Sequence, residues 1–367
     1  MVSILKKATL LLLAVFALVS CQEKGSPNFE YIPFKREASD NWGLIGIDGK
    51  ILFENKYSSC PSLAYNGIFM LEVEDGYEFY TAEKEPKKVA GPFKRACPFT
   101  DVVTPVVTKE GDMQIIDRKG KVVKVLNEID GREVNRIDGF KHGKASFCIG
   151  RDWGAIDVNG EICLPPIYKS VSVLDNGYLD AMKESITGGY LTVIFDEKGE
   201  VIDSLKGLYD CSHGKYFVEG ASSMERILDI HGKEYIALGV GEYIPEVKYD
   251  LFVCRKIHTM SLVNAQGDVL VEDSNYYDIS IVDEDRLLLS VRDKGTFLAD
   301  LNGHEITGPI FNGSNSSRYY NGKVMPIRRK EDSRWIFVDK DGNPINEESY
   351  EDLEFYDEWG SQTIVYK

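Results

Sequence analysis

The residues able to do chemistry are few and scattered. Five histidines, His142, His213, His231, His258 and His304, lie far apart, and none has a second ligand at metal-binding spacing. His231 falls inside the turn Asp229-Ile230-His231-Gly232, where a polar turn residue is the simple reading. No glycine-rich loop follows a strand and opens a helix, so nucleotide binding has no support. Gly-x-Ser-x-Gly is absent, and the serines of Gly313-Ser314-Asn315 and Gly220-Ala221-Ser222 read as loop residues. One run, DKDGNPINEE from Asp339 to Glu348, gathers oxygen ligands of the kind calcium takes. It lacks a full twelve-residue calcium loop and coincides with a turn that recurs along the chain, so it reads first as a repeat turn. No catalytic residue, metal or cofactor is expected.

The dominant feature of the surrounding sequence is a period. The stretch WGAIDVNGEICLPPIYKSV from Trp153 to Val171 holds two apolar runs joined by an Asp-x-x-Gly turn, then a proline pair and Tyr168. Two short strands joined in this way read as a β-hairpin, since glycine supplies the positive φ and aspartate bonds its own backbone. Equivalent turn openers stand at Gly46, Thr81, Asp117, Asp157, Asp196, Asp229, Asn264, Asp300 and Asp339, at intervals of 33 to 40 residues. Three residues later come Gly49, Lys84, Gly120, Gly160, Gly199, Gly232, Gly267, Gly303 and Gly342. A second column, eleven to fourteen residues past the opener, holds Tyr57, Phe93, Tyr168, Tyr209, Tyr243, Tyr277, Phe311 and Tyr350. Repetition at this length marks a solenoid, a propeller or an array.

Those columns resemble the WG-repeat family of bacterial proteins, whose unit runs roughly Trp-Gly-x-Ile-Asp-x-x-Gly-Lys-x-Ile-x-Pro-x-Tyr. The unit at Trp153 matches nearly throughout, those at Trp42 and Trp335 fairly, and in the others Tyr77, Met113, Thr192, Glu225, Met260 and Thr296 replace the tryptophan. The resemblance implies an architecture and a binding habit, with no reaction attached.

Around the best copy the segments ASFCIGR, WGAID, EICL and KSVSVL read as four short strands per unit, and no segment sustains helical periodicity. The fold expected is all-β: a tandem array of about nine short antiparallel β-meander units, propeller-like, with an open superhelical array as the alternative. Segments YIPFKREA from Tyr31 and SQTIVYK from Ser361 are expected to supply a first strand and an extra strand that locks or caps the array.

Three divisions follow: 1–20, a signal peptide; 21–28, a tether; 29–367, the repeat domain. Lys6 and Lys7 precede an apolar run from Ala8 to Val19, too short to span a bilayer, and Leu18-Val19-Ser20-Cys21 resembles the lipobox of bacterial lipoproteins. That resemblance implies lipidation of Cys21. With Gln22 rather than aspartate following, it also implies the outer membrane of a Gram-negative bacterium, on the periplasmic face or at the surface.

The formal charge of −16 becomes −18 once Lys6 and Lys7 are removed, which repels phosphate backbones and argues against nucleic acid. Six further cysteines, Cys60, Cys97, Cys148, Cys163, Cys211 and Cys254, read as small core residues. Cys148 and Cys163 should flank an intervening strand, leaving them about 9.5 Å apart, too far for a disulfide. Adjacent aromatic pairs read first as core packing repeated from unit to unit; the alternative is a stacking surface for a protein or a sugar, with Tyr276, Tyr320 and Tyr356 as the exposed members.

The functional expectation is a non-catalytic cell-envelope lipoprotein whose repeats form a protein-binding scaffold for an envelope or host protein. A glycan-binding surface lipoprotein is the alternative, and a hydrolase with a site in a central channel a third.

Overall fold

The computed structural model describes residues 29–355, apart from 175, 187, 207–208, 214–215, 220–224, 230, 232 and 314–319, together with 364–365. Every element among them is a strand; none is a helix. The expected signal peptide, Cys21, Tyr356 and the serines at 222 and 314 lie outside the described residues.

The unit is clearest in the fourth copy, where strands Lys144–Ile149, Asp152–Asp157 and Ile162–Tyr168 run antiparallel in sequence order. Asp157 makes its turn by hydrogen bonding. Its carboxylate accepts the backbone N–H groups of Asn159 and Glu161, each at 2.9 Å, and Gly160 donates to its carbonyl at 2.9 Å. Gly160 sits at φ +74°, a conformation that costs other residues about 1 kcal/mol or more. The same two carboxylate bonds form at Asp117, Asp196, Asp229, Asp300 and Asp339, and the Asn264 amide oxygen makes them in its unit.

The two irregular openers have local explanations. Beside Gly46, Asp48 takes over by accepting the Lys50 N–H at 3.1 Å, and a Cβ on Gly46 would lie 2.6 Å from that carboxylate. Thr81 spans a longer loop, its hydroxyl accepting the Lys87 N–H at 3.0 Å, so no glycine is needed at Lys84.

The Trp-Gly dipeptide also has a structural role. Trp153 is the cross-strand partner of Tyr168, as Trp42 is of Tyr57, Tyr77 of Phe93, Thr296 of Phe311 and Trp335 of Tyr350. Between that pair and the next, the ladder shifts register, which is the signature of a bulge. The bulged strand crowds the glycine: a Cβ on Gly154 would lie 2.5 Å from the Leu164 carbonyl oxygen, and one on Gly43 2.4 Å from that of Phe53. In the second unit Glu78 takes the glycine position, and the space is found on the facing strand. A Cβ on Gly91 would lie 2.5 Å from the Tyr77 carbonyl oxygen.

The units close into a ring, a β-propeller, because eight of the nine apolar clusters among the described residues draw on two neighbouring units, the exception lying within the fifth. Phe79 of the second unit packs with Val106 of the third. Met113 and Ile115 of the third pack with Phe147 and Ile156 of the fourth. Phe252 of the seventh packs with Val218 of the sixth, and Leu262 with Leu289 of the eighth. Phe337 and Tyr350 of the ninth pack with Ile32, Phe34 and Ile45 of the first, which excludes the open array. Charged groups cross that seam. Arg334 donates to the Arg36 carbonyl at 2.6 Å and to Glu37 at 3.1 Å, and Arg36 pairs with Glu348.

Three expectations need correction. The strand count per unit is right but its assignment is not: Ser170–Val173 pairs with Leu179–Glu184, so each fourth strand is the inner strand of the following unit. The lock on the ring is Asp352–Leu353, which pairs with Phe34 and Lys35, while Ile364–Val365 pairs instead with Arg136–Ile137 of the fourth unit. The nine units do not form nine four-stranded sheets. Seven hold four to six strands, alongside a three-stranded sheet and a two-stranded ribbon. The eighth and ninth units share the six-stranded sheet, because Phe311 pairs with both Thr296 and Arg329.

Cys60, Cys97, Cys148, Cys163 and Cys254 are free thiols. The strand carrying Trp153 separates Cys148 from Cys163, as the sequence implied.

Replacing Gly154 by alanine forces its Cβ against backbone and should cost about 2 to 3 kcal/mol, read as a lowered denaturation midpoint. A second expectation concerns acid. Bonding from the Lys121 backbone lowers the Asp117 carboxyl, and bonding from the His304 side chain lowers that of Asp300. Carboxyls depressed below the unfolded value of about 3.9 stabilise fully above that pH, and the contribution is lost as pH falls through the folded values. Asp117→Asn keeps the acceptor oxygen that Asn264 shows to be sufficient. Its unfolding midpoint should therefore fall less below about pH 4 than that of the unaltered chain.

Candidate functional site

The residues that could do chemistry are largely occupied by the fold. In the run from Asp339, the Asp339 carboxylate is taken up by the N–H groups of Asp341 and Asn343 and by the Asn343 amide. Burial raises the Asp339 carboxyl, and those donors outweigh it, leaving it below its usual range. Asp341 pairs with Arg286 at 3.0 Å. The stretch is a repeat turn, and among the described residues no group of three His, Cys, Asp or Glu side chains converges. His304 sits against its own turn aspartate, Asp300, at 3.0 Å, and His231 lies 3.8 Å from Asp203 of the preceding unit.

The tyrosines are turned differently from the expectation. Tyr320 is buried, 2% exposed, in the cluster between the eighth and ninth units, and burial with Asp283 and Asp285 nearby pushes its hydroxyl up to about 12. Tyr276 is half-buried against the cluster of the seventh and eighth units. Its neighbour Tyr277 is the exposed ring, at 41%. The parity rule held, since adjacent strand residues face opposite ways, but the aromatic column marked the wrong member. That column mixes two places. Tyr57, Phe93, Tyr168, Phe311 and Tyr350 stand opposite the Trp position, whereas Tyr243 and Tyr277 begin or lie within inner strands and reach solvent.

The turn residues Asp117, Gly120, Asp157, Gly160, Asp196, Gly199, Asp300, Gly303, Asp339 and Gly342 all stand where the repeat requires them. They set the start of the outer strand. Five residues beyond the opener, Val122, Ile162, Val201 and Val269 are exposed on that edge, opposite Ile116, Ile156, Phe195 and Val263.

The rim pattern breaks in the eighth unit. Ile306 and Thr307 both donate to the Leu298 carbonyl, and the chain then leaves the sheet through Gly308 and Pro309 before Phe311 rejoins it. Gly342 of the ninth unit packs into the gap, where a Cβ would lie 2.3 Å from the Thr307 methyl. Beside it opens a cleft of roughly 430 Å³ lined by Pro309, Ile310, Phe311, Ile336 and Pro344, with Arg329, Lys330 and Glu331 at its edge. Ile310 is half exposed. Arg329 is paired with Asp332, but Lys330 rests on the Lys294 carbonyl at 2.6 Å and meets no carboxylate among the described residues. An apolar floor beside an uncompensated cation suits an apolar ligand that carries negative charge. Sequence reasoning missed this cleft, and its one signal was the Thr307-Gly308-Pro309 sequence in a unit without tryptophan.

No family model matches the chain, and no curated protein matches it. Solved structures do. One titled as the crystal structure of the eukaryotic initiation factor is 9% identical, covers 92% of this chain and 98% of its own, and gives a TM-score of 0.57. Dihydro-heme d1 dehydrogenase NirN in complex with DHE is 13% identical over 77% of this chain and 73% of its own, at 0.43. BamB from Moraxella catarrhalis is 12% identical over 74% and 91%, at 0.40. At such identities the likeness is to the fold alone.

Proposed function

We propose that the protein is a non-catalytic binding scaffold of the WG-repeat kind, held at the outer membrane of a Gram-negative cell by lipid on Cys21, and that it engages another envelope or host protein. The observation that carries the binding reading is the cleft between the eighth and ninth units, where the repeat is broken and leaves an apolar surface beside Lys330, which bonds a backbone carbonyl and meets no carboxylate among the described residues. A ring stiffened by neighbour packing holds such a surface without having to order it on binding, which favours affinity. The partner segment that fits is apolar, with a carboxylate placed to meet Lys330.

A second reading, glycan binding, is favoured by Tyr243 and Tyr277. They are exposed at corresponding places in consecutive units, with Arg255 between them donating to the Tyr277 carbonyl at 2.9 Å. Exposed rings with a cation between them suit stacking on sugars.

Capture from envelope extracts by the purified chain separates the two. A partner protein that is retained by the unaltered chain and falls about tenfold with Ile310→Asp or Lys330→Glu supports the cleft. Retention on a polysaccharide array that Tyr277→Ala abolishes, with no protein captured, favours the glycan reading instead. The anchor has its own test. Cys21→Ser should move the protein from the membrane fraction to the soluble fraction, and an unchanged distribution rules out lipidation at Cys21.

A further inference from the structure

The fourth unit departs from the others at its inner edge. In the neighbouring fifth, sixth, seventh and eighth units, the inner strand is the last strand of the sheet toward the channel. In the fourth, the inner strand is only Arg136–Ile137, and a fifth strand, Ile364–Val365, is added outside it. The interval between turn openers is greatest here, 40 residues, and part of the added length is the ribbon of Glu128–Ile129 and Arg132–Glu133. Ile129 of the ribbon packs against the same cluster as Ile364.

Among the described residues, two pairs join the added strand, Arg136 with Val365 and Ile137 with Ile364. Ile364, 2% exposed, is buried in the cluster that includes Val103, Val107, Ile137 and Phe147. The last strand before it, Asp352–Leu353, belongs to the first unit. Ten residues separate Leu353 from Ile364, a length that can reach at most about 37 Å. A segment tethered at that length is presented to the edge at an effective concentration of the order of millimolar, so a weak pairing suffices to fill it.

We propose that the channel-side edge of Arg136–Ile137 is an acceptor for one extended peptide strand bearing a β-branched apolar residue, and that Ile364–Val365 is its exchangeable occupant in cis. Main-chain bonds along the edge supply affinity, and the pocket filled by Ile364 supplies selectivity, as in strand addition to open sheet edges generally. A partner strand with isoleucine or valine at that place competes with the tethered segment. The site is separate from the rim cleft, and neither depends on the other.

The test uses the full chain carrying Ile364→Asp, in which a charge in an apolar pocket expels the segment, and a fluorescent peptide of residues 361–367, Ser-Gln-Thr-Ile-Val-Tyr-Lys. Anisotropy should show saturable binding to the variant about tenfold or more tighter than to the unaltered chain, and none with a peptide carrying aspartate for its isoleucine. Equal binding to both chains, or none to a variant whose circular dichroism and melting are preserved, overturns the proposal. Should the variant not fold, hydrogen exchange on the unaltered chain decides. Ile364 and Val365 should be protected, and complete exchange there at the earliest time point refutes the pairing. Ile310→Asp, which disables the rim cleft, leaves all these readouts unchanged.

Discussion

The structure rests on the fact that no unit can bury its own surface. In the strand Asp152–Asp157, Ile156 points into the cluster shared with the third unit, and its neighbour Ala155 into the cluster shared with the fifth. Successive residues of a strand face opposite sides, so both faces of a sheet this narrow are apolar and both need cover. A row of such units would leave an apolar face bare at each end. Closing the row into a ring removes both ends, and the ninth unit meets the first through Phe337, Tyr350 and Phe34 in edge-to-face contacts at 5.4 and 6.0 Å. The chain itself crosses this join, Tyr350 pairing with Trp335 of the ninth unit and Asp352–Leu353 with Lys35 and Phe34 of the first. Here Arg334 contacts Glu37, Glu351 and the Arg36 carbonyl together. Its side chain is partly buried, at 21% exposure, and shares its donors among several acceptors across the seam.

Within a unit, register is set twice. The turn sets it at one end, because one carboxylate oxygen holds two N–H groups and leaves the hairpin a single geometry. The Trp position sets it at the other, where the large side chain faces an aromatic partner and the bulge between them re-aims the strand toward the next unit. The two devices tolerate different kinds of replacement. The turn accepts any side chain that presents an oxygen at the right place, as Asn264 and Asp48 do. The glycine beside tryptophan marks a gap between two backbones, which either strand can supply, and in the second unit Gly91 supplies it.

This difference explains how much of the molecule was legible in the sequence. Turn openers and their glycines are local, so the period, the strand identity and the separation of Cys148 from Cys163 could be read directly. The assignment of the fourth strand could not, since Ser170–Val173 is continuous in sequence with one unit and bonded to the next. The aromatic column failed for the same reason: its spacing of eleven to fourteen residues spans both the end of an outer strand and the start of an inner one. Tyr277 and Phe311 look equivalent there, yet one is exposed and the other fully buried. Ring closure and the cleft are long-range facts. The pairing of Phe311 with Arg329, which fuses two units, depends on where Pro309 sends the chain, and no periodicity encodes that.

The outer rim shows why that fusion bears on binding. An exposed strand edge with Val122, Ile162, Val201 and Val269 along it would invite pairing with other chains, and proteins blunt such edges with charge and bulges. Here Lys124 of the third unit reaches Glu161 of the fourth at 3.0 Å, and the register shifts in the outer ladders twist the edge. In the eighth unit the outer strand is given up, so there is little edge left to protect, and the apolar residues meet solvent in a concavity instead of along a ladder. A concavity selects by shape where a bare edge would accept almost any strand. The same contrast separates the fourth unit, where the open edge is inside the ring and already carries a strand from the chain itself. Where an apolar surface or a free edge persists, the fold has confined it to a place that few segments can reach.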